Sequence, residues 1–177
     1  MIDLLLSFDK ILINTFKEEF LMKKSIFAIS MILIAVMALG SVSAFDLGSL
    51  FGDSDDSQNQ TVTIGGIDFN IPAGFSEVVN ESTVNETVNE GGIPFINNGK
   101  VYENKNTVVA ILVADYGDYK ITDEIVGNVA GDEKTINDVH GYFKTDGAYK
   151  VFSYAKDGKL VAISATDENV IGDFIIK

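Results

Sequence analysis

An apolar stretch near the N-terminus, Met22 to Ala44, places the strongest constraint on the chain, because it is too apolar for the surface of a soluble domain. The basic pair Lys23–Lys24 precedes an apolar run from Ile26 to Leu39 that is interrupted only by Ser30, and Val42 and Ala44 provide the small residues of a secretory cleavage site. As a helix the run would span about 21 Å, less than the roughly 30 Å of a bilayer core. We therefore predict a cleaved signal peptide at residues 22–44.

The alternative is an uncleaved N-terminal membrane anchor. No charged residue occurs between Ser25 and Phe45, so a helix through residues 25–45 could also cross the bilayer. In both cases the basic pair keeps the N-terminus inside and directs the following residues outward. We expect a protein that is secreted or anchored on the outer face of the cytoplasmic membrane.

Residues 1–21 fit this export signal poorly, since Glu18 and Glu19 stand almost directly before the basic pair. We interpret these residues as an upstream extension of the gene model. The alternative, an amphipathic helix on the membrane surface, would usually carry a polar face rich in lysine and arginine. Such a face is missing from this segment.

The charge of the chain excludes one class of partner. Nine lysines and 22 acidic residues follow residue 44, and the chain as a whole has a net charge of −13. Such a surface repels phosphate backbones, which argues against nucleic-acid binding. A single histidine and the absence of cysteine leave no ligand set for zinc, so we expect no cofactor and no metal site.

Residues 45–60 have the composition of an acidic flexible linker, and residues 61–177 are enough for a single domain. Gly65–Gly66 lies between two alternating runs and predicts a β-hairpin, with apolar side chains from Val62 to Ile71 on one face. Residues 77–92 lose all periodicity and repeat the triplet Val-Asn-Glu. We read them as a disordered acidic loop.

The last third of the chain predicts three antiparallel strands, at Val139 to Thr145, Ala148 to Lys156 and Lys159 to Ala165. They are joined by two-residue turns at Asp146–Gly147 and Asp157–Gly158. Because side chains alternate across a sheet, the register assigns one face to the core. That face carries Val139, Phe143, Phe152, Tyr154, Val161 and Ile163. The second face carries His140, Tyr142, Lys144, Tyr149, Val151, Ser153, Leu160, Ala162 and Ser164.

Three further segments complete the predicted fold. The apolar run Thr107 to Ala114 has the length of a central strand buried on both faces. Thr122 and Thr166 are suitable N-caps, the first for a short helix and the second for a closing helix with apolar residues on one side. We predict an α+β domain with an antiparallel sheet of about five to seven strands and a C-terminal helix packed on one face, preceded by the hydrophobic signal helix.

The chemistry of the second face supports no enzyme strongly. His140 is expected opposite Ser153, and a base beside a hydroxyl could indicate an extracellular hydrolase. No nucleophile elbow or positioned acid accompanies this pair, so we assign no catalytic residue. Asp115 and Asp118 suggest a second alternative, a calcium-dependent adhesion module.

Tyrosines favour a non-enzymatic binding domain instead. Tyr142 and Tyr149 lie on the second face, and Tyr116 and Tyr119 lie in a turn-rich loop. Tyrosine offers a large contact area, which suits recognition of an envelope or extracellular partner or a small ligand. The alternative is that the short helix or the long loop covers the second face.

Three glycosylation sequons occur at Asn59, Asn80 and Asn85, all in segments expected to be exposed. This placement suits N-glycosylation of an exported chain. The alternative is chance, because segments rich in asparagine, serine and threonine generate such sequons frequently.

Several segments of the folded part resemble small exported proteins of methanogenic archaea with no assigned function. The likeness lies in Gly66 to Phe75 (GIDFNIPAGF), Ile136 to Tyr142 (INDVHGY), Tyr154 to Lys159 (YAKDGK) and the closing segment at Asp167–Glu168. The layout, with a strand ending in Ile-Pro-x-Gly-Phe, a curved antiparallel sheet and a terminal helix, is also similar to the PsbP-like α+β fold. Neither resemblance implies catalytic residues.

We expect the native protein to begin at Phe45, because the signal peptide is removed after Ala44. Intact-mass measurement combined with N-terminal sequencing of protein from the source cells tests this prediction. An N-terminus at Met22 would indicate the uncleaved anchor, and one at Met1 would contradict the interpretation of residues 1–21.

Overall fold

The computed structural model describes residues 58–90, 93–128 and 130–176. The predictions for residues 1–21 and 22–44, and most of the predicted linker at 45–60, lie outside these residues. No helix within the described ranges is long and apolar enough to cross a membrane.

The described chain is mainly antiparallel β-structure with a few short helices, which confirms the α+β expectation at that coarse level. Its helices are two 3₁₀ helices, η1 (Val79–Glu81) and η2 (Glu168–Phe174), and one α-helix, α1 (Asp123–Gly127). Its strands are β1 (Gln60–Ile64), β2 (Ile67–Ile71), β3 (Ser76–Glu77), β4 (Thr83–Glu90), β5 (Ile93–Glu103), β6 (Val108–Asp115), β7 (Asp132–Ile136), β8 (Val139–Asp146), β9 (Tyr149–Lys156) and β10 (Lys159–Ala165).

Eight strands form one sheet in the order β3-β5-β6-β10-β9-β8-β7, with β4 also beside β5, and β1 and β2 form a separate hairpin. All pairings are antiparallel. The expected count of five to seven strands is therefore too low for this sheet. The additional strands are β3 and β4, which lie largely within the predicted loop at 77–92, and β7, where no strand was predicted.

The predicted acidic loop at 77–92 differs most from the structure. Residues 83–90 form β4, which pairs with β5 from Ile93 to Gly99, and an irregularity separates the Thr83 and Glu86 pairs. One edge of β5 pairs with β6. Both β3 and β4 therefore lie along the opposite edge of β5. The side chains of residues 83–89 are mostly exposed and show no clear alternation of apolar and polar residues. Backbone pairing with β5 therefore orders this segment as a strand.

The β1–β2 hairpin packs on the face of the sheet that was predicted to be the core face. Together they form the larger hydrophobic cluster, here called cluster 1. Val62 pairs with Phe69 and Ile64 with Ile67, which confirms the predicted turn at Gly65–Gly66. Gly65 has φ +56°, and a Cβ there would lie 2.8 Å from Val113 Cγ1, so the turn approaches the sheet closely. The buried core of cluster 1 consists of Ile64, Ile67, Phe69, Ile71, Phe75, Tyr102, Val109, Ile111, Val113, Phe152, Tyr154, Val161, Ile163, Ala165, Ile171, Phe174 and Ile175.

Helix α1 and the loops on either side cover part of the opposite face and form with it a second hydrophobic cluster, here called cluster 2. Its buried residues are Ile93, Phe95, Leu112, Ala114, Tyr116, Ile121, Val126, Ala130, Val151, Leu160 and Ala162. The side chain of Thr122 accepts a hydrogen bond from the Ile125 N–H at 3.4 Å, as expected for an N-cap. Val126 and Ala130 are fully buried against this face. Val151, Leu160 and Ala162 are also fully buried, so the central part of the second face is core rather than solvent-exposed surface.

The C-terminal segment packs on cluster 1 but is not the expected regular helix. It is the 3₁₀ helix η2, and Asp167 rather than Thr166 caps it, accepting a hydrogen bond from Asn169 N at 3.0 Å. The Thr166 hydroxyl instead accepts a hydrogen bond from Val108 N at 3.1 Å. Thr166 therefore joins the start of β6 to the end of β10 and is not available to the helix.

The β8–β9 turn lies one residue later than predicted. Asp146 pairs with Tyr149, so the turn residues are Gly147 and Ala148. Gly147 has φ +56°, the conformation that a type II′ turn requires at its first central position. Moving a turn by one residue moves the pairing by two residues, which keeps every side chain on its predicted face but changes its neighbour. The Asp157–Gly158 turn is confirmed, because Lys156 pairs with Lys159.

We expect Phe174→Ala to lower the free energy of unfolding by about 3–5 kcal/mol, because Phe174 is fully buried. Its ring contacts Phe75 edge-on with the centroids 5.0 Å apart. Urea unfolding of the purified protein measures the change. Val84→Ala is the control, since Val84 is 71% exposed and should change stability by no more than about 0.5 kcal/mol. Equal losses in the two variants would contradict the packing of η2.

Candidate functional site

An open groove lies at one end of the sheet, where β6 ends and the turn-rich loop begins. Its volume is about 380 Å³, within the usual range for ligand sites. We call it the tyrosine groove. It is lined by Thr87, Pro94, Phe95, Ile96, Asp115, Tyr116, Gly117, Asp118 and Tyr119.

Strand pairing brings the walls of the groove together. Ile96 of β5 pairs with Thr87 of β4 on one side and with Asp115 of β6 on the other. The loop after Asp115 then turns back beside the start of β5. Three segments that are distant in the sequence therefore meet at one site.

The base of the groove is a rigid aromatic pair. Phe95 and Tyr116 stack with their ring centroids 5.0 Å apart and their planes at 30°. Both side chains are only 3% exposed and belong to cluster 2. The rim is different, because Ile96 is 44% exposed and Tyr119 is 47% exposed. The groove thus presents accessible apolar surface above a packed base.

A network of polar contacts holds the loop that carries Tyr119. Gly117 N donates to Asp115 Oδ1 at 2.9 Å, and Lys120 Nζ donates to Gly117 O at 3.0 Å. Tyr119 N donates to Tyr116 O at 3.3 Å, and Ile121 N donates to Gly158 O at 2.9 Å. The loop is consequently anchored at both of its ends.

Lys159 connects the groove to the β1–β2 hairpin. Its ammonium lies 3.1 Å from Asp115 Oδ2 and donates to Gly65 O at 2.7 Å. The Gly117 N–H and then Lys159 lower the pKa of Asp115, although partial burial of the carboxylate opposes this shift. The charge of Asp115 is therefore largely satisfied within the protein, whereas Asp118 makes no ion pair with any other described residue.

The four candidate tyrosines do not form one surface. Tyr116 and Tyr119 line the groove, but Tyr142 and Tyr149 are not among its lining residues. Tyr142 packs beneath α1 so closely that a Cβ at Gly127 would lie 2.6 Å from its ring. Tyr142 and Tyr149 are half-buried, and Tyr142 also meets the His140 ring edge-on at 5.5 Å.

The register separates the two residues of the hydrolase hypothesis. Tyr142, not His140, pairs with Ser153 across the β8–β9 ladder, because the turn lies one residue later than expected. Ser153 is fully buried, and its hydroxyl has no hydrogen-bond partner among the described residues. His140 Nε2 instead lies 2.9 Å from Glu133 Oε1, and Nδ1 lies 3.8 Å from Asp123 Oδ2. The imidazole is thus engaged by carboxylates at the sheet surface.

In the described ranges, no three His, Cys, Asp or Glu side chains are arranged to hold a metal ion. These residues therefore add no ligand cluster in support of the calcium hypothesis. Asp115 and Asp118 both line the tyrosine groove, but the carboxylate of Asp115 is already bound by Lys159 and Gly117.

The three sequon asparagines are all exposed. Asn59 Oδ1 accepts a hydrogen bond from Ala73 N at 2.9 Å. Asn80 lies within η1, and Asn85 lies at the irregularity of β4 with φ +51°. Asn85 N donates to Asn98 Oδ1 at 2.9 Å.

Sequence reasoning identified the tyrosine loop but missed the opposite wall, which is built from Thr87, Pro94, Phe95 and Ile96. The signal was present in the alternation of Ile93, Phe95 and Asn97, all of which are buried. This alternation is typical of a strand and would have predicted one that begins at Ile93. The expectation of a loop through residue 92 concealed this pattern.

No protein-family model, curated protein or solved structure matches the chain significantly. The resemblances to exported archaeal proteins and to the PsbP-like fold stay predictions. Function has to be inferred from the site itself.

We expect Asp115→Asn to lower stability at neutral pH by about 1 kcal/mol or less, because the ion pair with Lys159 is partly exposed to solvent. The pKa of Asp115 is lower in the folded state, so its contribution is present above the ordinary carboxyl pKa of 3.8 and is lost as pH falls through the folded value. The difference between wild type and variant should therefore shrink toward pH 2.

Thermal unfolding at pH 7 and pH 2 measures this difference. Asp118→Asn is the matched control on the same loop and should have little effect at either pH. An undiminished difference between wild type and Asp115→Asn at pH 2 would show that the charge of Asp115 is not the cause.

Proposed function

We propose that this protein is an exported or cell-envelope domain that binds an extracellular partner through the tyrosine groove and catalyses no reaction. The observation that carries the proposal is the rim of the groove, where the apolar side chain of Ile96 and the ring of Tyr119 are both partly exposed above the packed Phe95–Tyr116 pair. Soluble domains rarely leave clustered apolar side chains exposed beside a concavity unless something binds there.

The negative charge of the chain narrows the class of partner that the groove can bind. The chain has a net charge of −13, and Asp118 adds to the groove a carboxylate that forms no ion pair with any other described residue. Cationic groups are therefore attracted and anionic groups repelled during approach. We propose that the groove binds a short segment of an extracellular protein in which an apolar or aromatic side chain is flanked by lysine or arginine.

The volume of the groove and the ordered loop beside it suit a short segment of this kind. A volume of about 380 Å³ accommodates one or two side chains rather than a folded domain. The contacts among Asp115, Gly117 and Lys120 order the loop that carries Tyr119 before binding. A preordered loop loses less conformational entropy when the partner binds.

The proposal of export rests on the apolar stretch at residues 22–44 with its basic flank and small-residue cleavage site. The acidic character of the chain and the exposed sequons are consistent with an extracellular location. The hydrolase alternative has weaker support, because Ser153 is fully buried and pairs across the sheet with Tyr142.

Two peptides test the chemistry of the groove: acetyl-Lys-Phe-Leu-Lys-amide and its counterpart with glutamate in place of lysine. We expect the basic peptide to bind and the acidic peptide to bind at least about tenfold more weakly. Tyr119→Ala and Ile96→Ala should each weaken binding of the basic peptide about tenfold, as expected for large side chains that the bound peptide would cover. Titration calorimetry and NMR chemical-shift mapping provide the measurements.

Val79→Ala is the matched control, since Val79 is 73% exposed and does not line the groove. Its affinity for the basic peptide should equal that of wild type. Equal binding of both peptides, absence of binding, or unchanged affinity in folded Tyr119→Ala and Ile96→Ala would contradict the proposed site.

A further inference from the structure

The two ends of the eight-stranded sheet are protected unequally. An edge strand presents unpaired N–H and C=O groups, to which another chain can add a strand. At one end, β7 has only five residues and begins with three charged residues, Asp132, Glu133 and Lys134, which discourage such pairing. At the other end, β4 has eight residues and pairs only with β5 among the described strands. The β4 edge is therefore the more vulnerable one.

Exposed valines make the β4 edge more vulnerable still. Val79 is 73% exposed in η1, and Val84 is 71% exposed near the start of β4. Valine favours the extended conformation, and strands that expose it at an edge are prone to aggregate. The irregularity between Thr83 and Glu86 interrupts the ladder with β5 but leaves Val84 in solvent.

Each of these valines directly precedes a sequon asparagine. Val79 is followed by Asn80-Glu-Ser, and Val84 is followed by Asn85-Glu-Thr. Asn80 and Asn85 are both exposed. A sugar attached at either side chain would therefore begin one residue away from an exposed valine. The β7 segment at the opposite end contains no sequon.

We infer that Asn80 and Asn85 carry N-linked glycans that cover the β4 edge and prevent strand addition by a second copy of the protein. This inference rests on the export proposed above, because the transferring enzyme acts on chains that have crossed the membrane. It does not depend on what the tyrosine groove binds.

The modification needs only a glycosyl donor from outside the protein, an oligosaccharide linked to a lipid phosphate. Nδ2 of asparagine attacks C1 of the first sugar, so that an N–C1 bond forms and the bond from C1 to the phosphate oxygen breaks. The lipid phosphate leaves with the electron pair, and Nδ2 transfers one proton to a base of the transferring enzyme. No oxidant or reductant is required.

The first test is mass spectrometry of the full native protein from the source cells. Digestion after glutamate separates the two sites, because Glu81 lies between Asn80 and Asn85. We expect sugar masses on both peptides of a chain that begins at Phe45. A chain that begins at Phe45 with both asparagines unmodified would overturn this inference and leave export intact. A cytosolic, unprocessed chain without glycans would overturn export as well.

The second test measures the effect of losing the glycans. Asn80→Gln with Asn85→Gln should convert a monomer into concentration-dependent oligomers, detected by sedimentation velocity of protein expressed in the source cells. Ser82→Ala with Thr87→Ala destroys both sequons while retaining the asparagines, and should give the same oligomers. Asn89→Gln is the matched control, since Asn89 is exposed on β4 but begins no sequon.

The two double variants together separate glycan loss from damage to the fold. Oligomers in both double variants but not in Asn89→Gln support the inference. Monomers in both double variants, at concentrations where circular dichroism shows the native sheet, would overturn it. Oligomers in Asn89→Gln would also overturn it, because they would show that changes in the strand itself cause association.

Discussion

The fold depends on two central strands, β6 and β10, that are buried on both faces. In β6, Val109, Ile111 and Val113 enter cluster 1, while Leu112 and Ala114 enter cluster 2. In β10, Val161 and Ile163 enter cluster 1, while Leu160 and Ala162 enter cluster 2. Such strands are stable only if both faces of the sheet are covered. The β1–β2 hairpin with η2 covers one face, and α1 with its flanking loops covers the other.

This arrangement explains where a binding site can form. The sheet faces near β6 and β10 are used for the core, so accessible surface is left at the ends and edges of the sheet. The tyrosine groove lies at the end of β6, where Asp115 and Lys159 join the strand to the hairpin turn at Gly65. The sequon-bearing segment lies along the β4 edge. The proposed binding groove and the proposed glycosylation sites therefore both lie at the periphery of the sheet, and they meet at β4, whose Thr87 lines the groove.

The β8–β9 hairpin shows how far sequence reasoning extends. Period-two alternation places Phe143 and Phe152 on the core face, and in the structure Phe152 is buried in cluster 1 while Phe143 is partly buried and packs against it. The same pattern cannot tell one register from another that differs by two residues, because both keep every side chain on its face. The turn at Gly147–Ala148 selects the register and places Ser153 opposite Tyr142. The predicted neighbour of Ser153 was wrong although its face was correct.

The sequence by itself determined the local features: the hairpin turns at Gly65–Gly66 and Asp157–Gly158, the Thr122 cap and the faces of the core strands. These features depend on neighbouring residues, whose backbone preferences and alternation can be read directly. Tertiary structure decided the rest. It ordered residues 83–90 as a strand, assigned Thr166 to Val108 rather than to a helix, and joined Ile96 with Tyr119 in one groove. Those outcomes depend on which distant backbone groups are available for pairing, and local preference carries no information about that.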